Sequence, residues 1–295
     1  MKPVTRKIYL PVSLVLTILL ALLGSPVMAA PELVTYQVYI TDVRDTSFVV
    51  SWTTDELTDG HIDYGLTTAL GNTRSDSVTN ISTHYVVVGS LTPNTTYYLQ
   101  VRSGDVIDNN GGAYYSVTTG PTLGIPTPGK TIWGYLYRSN GTTPAPNAIV
   151  YIQLQDNNGS GSPGNSQWVS VRTDSNGVWY YDLVNVRTED KSSYFSFTDG
   201  ADNRRMVWQG GIWGCIGEKP DDYRIFPIPS SYSYQHPNVS LDDEPTVIAL
   251  KGLSARPALA GTGQLALTVS LLGLMGAFFC ARRWIHKTRG GATAP

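Results

Sequence analysis

The chain has 295 residues, room for one large domain or two ordinary ones, and it is 41% hydrophobic but only 15% charged. Low charge together with many Tyr (18), Thr and Val suits extracellular β-structure better than a helical enzyme. Residues 31–255 hold 13 Lys and Arg against all 23 Asp and Glu, a net charge of −10 that the whole-chain value of −2 conceals. Phosphate binding needs basic patches, so this balance excludes nucleic acid as a partner.

In chain order, Lys2, Arg6 and Lys7 precede an apolar run from Ile8 to Leu23, and Val27-Met28-Ala29 closes it with a small residue. This pattern predicts a secretory signal peptide over 1–29. From Val34 onward short strands alternate with turns. Phe48, Val50 and Trp52 alternate with Val49, Ser51 and Thr53, the period of a strand buried on one face. Ile62 and Tyr64, then Val86 and Val88, then Tyr97, Leu99 and Val101 repeat it. About seven strands in about 90 residues predict a β-sandwich over 31–122. Two residues carry structural roles in it. Trp52 is a large apolar plug in an early strand, and Tyr97 opens a late strand where its hydroxyl can pin the preceding connection, stiffened by Pro93 over Leu91.

Ser51-Trp52-Thr53-Thr54, Ile62-Asp63-Tyr64-Gly65, His84 and Leu91-Thr92-Pro93-Asn94-Thr95-Thr96-Tyr97 together resemble a fibronectin type III domain. The Tyr-Gly pair is similar to the subset found in bacterial surface proteins and beside purple acid phosphatases. Such phosphatases need a second, metal-binding domain rich in His and Asp. Here the only histidines are His61, His84, His236 and His286, and they are scattered. The resemblance therefore implies a surface module without its catalytic neighbour.

A linker rich in Pro and Gly covers 123–129. A second β-pattern follows over 130–253. Ile132, Gly134 and Leu136 alternate; a Pro- and Ala-containing step leads into Ile149-Val150-Tyr151-Ile152; the turn Thr173-Asp174-Ser175-Asn176-Gly177 precedes Val178-Trp179-Tyr180-Tyr181-Asp182-Leu183. Over 130–190 this resembles a carboxypeptidase regulatory-like domain, a transthyretin-like β-sandwich used as a spacer in surface proteins; residues 191–250 depart from it. The fold class expected is thus all-β, two tandem sandwiches, with a signal peptide and one C-terminal transmembrane helix.

Few residues offer chemistry. No zinc spacing, phosphate loop or dinucleotide fingerprint occurs. The loop from Asp156 to Ser162 has oxygen groups but no EF-hand spacing, and reads as a hairpin loop. Cys215 and Cys280 fall on opposite sides of the predicted membrane boundary, which excludes a disulfide scaffold. In Trp208-Gln209-Gly210-Gly211-Ile212-Trp213 two readings stand: Trp208 and Trp213 fill the second core, or they form a platform for a sugar ligand.

Toward the end, residues 257–281 carry no charge and 264–281 predict a transmembrane helix; the tail at 282–295 has Arg282, Arg283, Lys287 and Arg289. Basic residues stay in the cytoplasm, so the acidic part is expected outside. Within the linker at 254–263, Leu259-Ala260-Gly261-Thr262-Gly263 resembles a sortase sorting signal, whose commoner form has Pro at the place of Ala260. The alternative is a small-residue linker into a permanent membrane helix. The sequence therefore reads as an exported protein of the cell membrane or cell surface, held by a single C-terminal pass or joined to the cell wall through a sortase. It is expected to have no cofactor and no enzymatic role, and to serve binding, adhesion or spacing toward an extracellular protein or glycan. The other reading is a carbohydrate-binding module or an accessory subunit of an extracellular hydrolase.

Overall fold

The computed structural model describes residues 37–126, 129–213, 215–216 and 223–242. The expected signal peptide, sorting motif, membrane helix, basic tail and Cys280 lie outside the described residues. Among the described residues, regular structure is β throughout, apart from three short 3-10 turns, and no helix is long and apolar enough to cross a membrane.

The first sandwich has eight strands: β1 (Tyr39–Thr41), β2 (Phe48–Thr58), β3 (Gly60–Gly65), β4 (Asn72–Ser75), β5 (Ile81–Val88), β6 (Thr96–Ser103), β7 (Val106–Asp108) and β8 (Tyr115–Thr118). One sheet runs β1-β2-β5, and the other runs β4-β3-β6 with β7 and β8 both pairing β6, all antiparallel. Phe48, Val50, Trp52, Ile62, Val86, Leu99 and Val101 meet between the sheets. Trp52 is fully buried, and its Nε1 donates to Ser103 Oγ at 2.9 Å, tying β2 to β6. The Tyr97 hydroxyl accepts from Thr92 N at 3.0 Å, so the side chain that opens β6 fixes the turn just before it.

The second sandwich has nine strands: β9 (Thr131–Tyr137), β10 (Ile149–Gln155), β11 (Val169–Arg172), β12 (Val178–Asp182), β13 (Asn203–Gln209), β14 (Cys215–Ile216), β15 (Arg224–Pro227), β16 (Ser233–Gln235) and β17 (Val239–Ser240). One sheet runs β11-β10-β13, with β14 and β15 on β13; the other runs β12-β9, with β16 and β17 added parallel to β9. The core between them holds Ile132, Leu136, Val150, Ile152, Leu154, Trp179, Met206 and Trp208. The turn before β12 closes as its sequence predicts. Asp174 Oδ1 accepts from Asn176 N and Val178 N at 2.8 and 2.9 Å. Gly177 sits at φ +71°, where a Cβ would come within 2.3 Å of Leu136 O.

One expectation is corrected. The strand β2 was expected to bury one face, yet Val49 and Ser51 are as buried as Phe48 and Val50. The reason is the second sandwich. Its β10 is buried along Ile149–Leu154 on both faces, and its outward side lies against the outward side of β1-β2-β5. The four sheets thus stack as layers.

Two histidines are sealed in the cores. His84 stacks on Trp52 with ring centroids 4.8 Å apart. Thr54 Oγ1 donates to Glu56 O at 2.7 Å, so it accepts from His84 Nε2 at 3.3 Å, and Nδ1 is left without a partner. Gly60 allows this packing, since a Cβ there would lie 2.2 Å from His84 Nδ1. His236 donates from Nδ1 to Pro237 O at 2.7 Å, and its unpartnered Nε2 lies among Trp179, Trp208 and Phe226. Burial lowers both imidazoles from 6.5 to about 4. Between those values the unfolded chain takes up protons that the folded chain refuses. Stability is therefore full above pH 6.5 and declines as the pH falls toward 4, by up to ~3 kcal/mol per histidine. Urea midpoints taken from pH 7 to pH 4.5 should drop accordingly; a flat profile would show that these imidazoles are charged or solvated in the fold.

Candidate functional site

The joint between the sandwiches is built from side chains that a lone sandwich would give to water. Tyr151, on β10, is 3% exposed. Its hydroxyl is 2.8 Å from Ser51 Oγ, and its ring meets Tyr39 edge-on at 5.5 Å. Thr41 Oγ1 and Ser170 Oγ are 2.6 Å apart, and Tyr85 Oη donates to Ser170 O at 2.8 Å. The side-chain amide of Gln167 copies a strand partner: Oε1 accepts from Val43 N at 3.0 Å and Nε2 donates to Val43 O at 3.1 Å. Beside it, Asp42 N donates to Trp168 O at 3.0 Å, and the Asp42 carboxylate accepts from Tyr181 Oη at 2.9 Å and Arg44 Nη2 at 3.1 Å. Burial holds the Asp42 carboxyl above its ordinary range, against the pull of the Arg44 guanidinium.

Two ion pairs cross the joint. Arg187, with 3% of its side chain exposed, reaches Asp45 at 3.2 Å and Pro121 O at 2.8 Å. Together with Tyr194 Oη, which donates to Gly124 O at 3.0 Å, it pins the first part of the connecting segment onto the second sandwich. Arg172 Nη1 meets Asp76 Oδ1 at 2.5 Å, and the Asp76 carboxylate also accepts from Tyr85 N and Val78 N.

The stack leaves two outer faces. On the first sandwich the face is polar: Asp63 on β3 accepts from Thr73 Oγ1 and Gln100 Nε2 and lies 3.7 Å from Arg102. On the second sandwich it is aromatic. The outward positions of β9 are Thr131, Trp133, Tyr135 and Tyr137, since Ile132, Gly134 and Leu136 point into the core. Trp133 and Tyr135 meet edge-on at 5.9 Å, and Tyr135 and Tyr137 lie 6.3 Å apart and nearly parallel, at 15°. On β12, Tyr180 pairs with Trp133 and is 69% exposed. On the other side of β9, exposed Gln235 on β16 also pairs with Trp133, and exposed Ser233 pairs with Thr131. The sole carboxylate on these strands' outward positions is Asp182, whose Oδ1 accepts from Lys130 N and Val184 N.

The aromatic residues singled out from sequence fall elsewhere. Trp208 is fully buried, edge-on to Phe226 at 6.3 Å, so it offers no face to a sugar; the second core needs its volume. Trp213 ends a 3-10 turn, Gly211–Trp213, whose Ile212 N donates to Ser82 Oγ at 3.1 Å; the Trp213 side chain lies outside the described residues. Trp52 and Tyr97 sit in the first sandwich, as described above. In the loop from Asp156, Oδ1 accepts from Asn158 N and Gly159 N within its own turn. Among the described residues no group of three or more His, Cys, Asp or Glu side chains is placed to hold a metal ion. Sequence reasoning passed over Trp133, Tyr135, Tyr137 and Tyr180. The signal was present in β9, where both phases of the alternation are nonpolar or aromatic, and only the inward phase was used.

The fibronectin type III domain model matches residues 29–118. The first sandwich is therefore a fibronectin type III domain. No curated protein matches this chain. Similar solved structures include PhoD, at 14% identity over 34% of this chain and 22% of that one, TM-score 0.25, so this chain spans less than a quarter of that protein. The FN1–FN3 segment of chicken CNTN1 shows 11% identity over 72% and 68% of the two chains, TM-score 0.22. The pilus 2b backbone protein of group B streptococcus shows 8% identity over 71% and 96%, TM-score 0.21.

Across the joint, Asp76→Ala should cost about 3 kcal/mol, because it removes the carboxylate that Arg172 pairs with and the acceptor of the Tyr85 N–H. Equilibrium unfolding checks this. A change below about 0.5 kcal/mol would mean that the Asp76 site is solvated.

Proposed function

We propose that this is an exported cell-surface protein, anchored at its C-terminal end to the membrane or wall, with a non-catalytic binding, adhesion or spacer role. The observation that carries this reading is an all-β body, with a fibronectin type III domain, set in sequence between two apolar segments of the kinds that start and stop export. The basic tail after residue 281 and the net −10 of residues 31–255 support an outward-facing body. The resemblance of residues 130–190 to a carboxypeptidase regulatory-like spacer supports it as well. A non-catalytic role is supported by His84 and His236, which are consumed in core packing.

The anchor takes one of two forms. Leu259-Ala260-Gly261-Thr262-Gly263 would be cut between Thr262 and Gly263 by a sortase, or it would run on into a permanent membrane helix. Protease treatment of intact cells should remove an epitope placed between residues 130 and 242, and mass spectrometry of the mature chain should end at Thr262 or at Pro295 accordingly. An epitope cleaved only after lysis would contradict surface display.

A further inference from the structure

We propose that the outward face of the β12-β9-β16 sheet is a binding site for a neutral, extended polysaccharide, with Trp133, Tyr135 and Tyr180 as its stacking groups and Gln235 as its polar partner. This deepens the surface-display reading and rests on it for where the ligand is met.

The first support is the asymmetry of the stack. Packing of inner sheet on inner sheet explains every aromatic residue at the joint, and the second core explains Trp179 and Trp208. Neither explains a row of aromatic rings on the open side of β9. Trp133, Tyr135 and Tyr137 are each half-buried and Tyr180 is exposed, and the aromatic surface they leave to water carries a hydration cost that a covering ligand would remove.

The second support is size. Trp133 to Tyr137 spans ~13 Å at ~3.4 Å per residue, and Tyr180 adds one strand spacing of ~4.8 Å. With ring widths included, the stripe is roughly 20 by 10 Å, or ~200 Å². A stable protein interface buries ~800 Å² per partner, so the stripe is too narrow for one. It fits a single chain laid along β9.

The third support is charge. The body carries a net −10, yet the outward positions of β9 and β16 bear no charge, and the one carboxylate, Asp182 at the end of β12, has its Oδ1 bonded to the Lys130 and Val184 N–H groups. A basic ligand would find a single carboxylate there, already bonded through Oδ1, and an acidic polymer would be repelled by the whole body. Sugar rings suit the face chemically: their C–H faces stack on aromatic rings while hydroxyls at the rim bond to groups such as the Gln235 amide, the Ser233 hydroxyl and the Tyr180 phenol.

The test is affinity electrophoresis of the full-length chain in detergent, through gels carrying hydroxyethylcellulose, mannan, xylan or polygalacturonate. At least one of the three neutral polymers should retard the protein, and polygalacturonate should not. Trp133→Ala and Tyr135→Ala should each weaken retardation at least tenfold, with thermal midpoints close to that of the unaltered chain because these side chains lie outside the core. Tyr180→Ala, the most exposed change, should weaken it several-fold and serves if the other two misfold. The proposal is overturned if no neutral polymer retards the chain, if the three variants bind as well as the unaltered chain, or if polygalacturonate binds equally. Absence of binding by a chain that is protease-sensitive on intact cells would remove the polysaccharide and leave surface display standing.

Discussion

The outward side of the β1-β2-β5 sheet lies against the outward side of the β11-β10-β13 sheet, and the rest of the molecule is arranged around that contact. A β-sandwich ordinarily hides its core between two sheets and gives both outer faces to water. Here each sandwich gives up one outer face. Tyr151 stands in the contact, with its ring on Tyr39 and its hydroxyl on Ser51. The polar groups around it are matched: Thr41 with Ser170, Gln167 with both backbone groups of Val43, and Asp42 with Tyr181 and Arg44. Unmatched, groups so placed would each cost on the order of 1–3 kcal/mol. This matching lets two modules joined through a segment rich in Pro and Gly behave as one body, and Arg187 and Tyr194 extend the same effect to the first residues of that segment.

Sequence pattern was a good guide wherever a residue's role was local. Trp52 is buried, the Tyr97 hydroxyl accepts from Thr92 N and the Asp174-to-Gly177 turn closes on Asp174 Oδ1, and each of these depends on neighbours a few residues away or on the sandwich's own pairing. It failed where burial comes from the other module. Ser51, Thr83 and Thr41 look like solvent-facing strand positions, because nothing local shows that Tyr151, Asn147 O and Ser170 will cover them. The run Ile149–Leu154 carried the opposite hint. A strand apolar in both phases is buried on both faces. Of the two readings of Trp208, core filling is the one that holds: the strand β13 pairs with β10 and turns the indole inward. Sheet order could not be read at all, since β13, β15 and β16 come from the region past residue 190, where family resemblance ends.

Stacking also decides which surfaces remain for function. With the two inner sheets consumed, the molecule presents a polar face on the β4-β3-β6 side, organised by Asp63, and an aromatic face on the β12-β9-β16 side. A flexible tandem would present these in varying relation. The stack holds them on opposite sides of one body. The buried, neutral histidines belong to the same design: they fill the cores beside Trp52 and Trp208 and make the body stable near neutral pH rather than in acid.

The central claim is that the two sandwiches form a single cooperative unit through their inner sheets. Differential scanning calorimetry of the full-length chain tests it most directly. One transition whose calorimetric and van't Hoff enthalpies agree is the expected result. Two resolved transitions, with the fibronectin type III domain melting apart from the second sandwich, would contradict it.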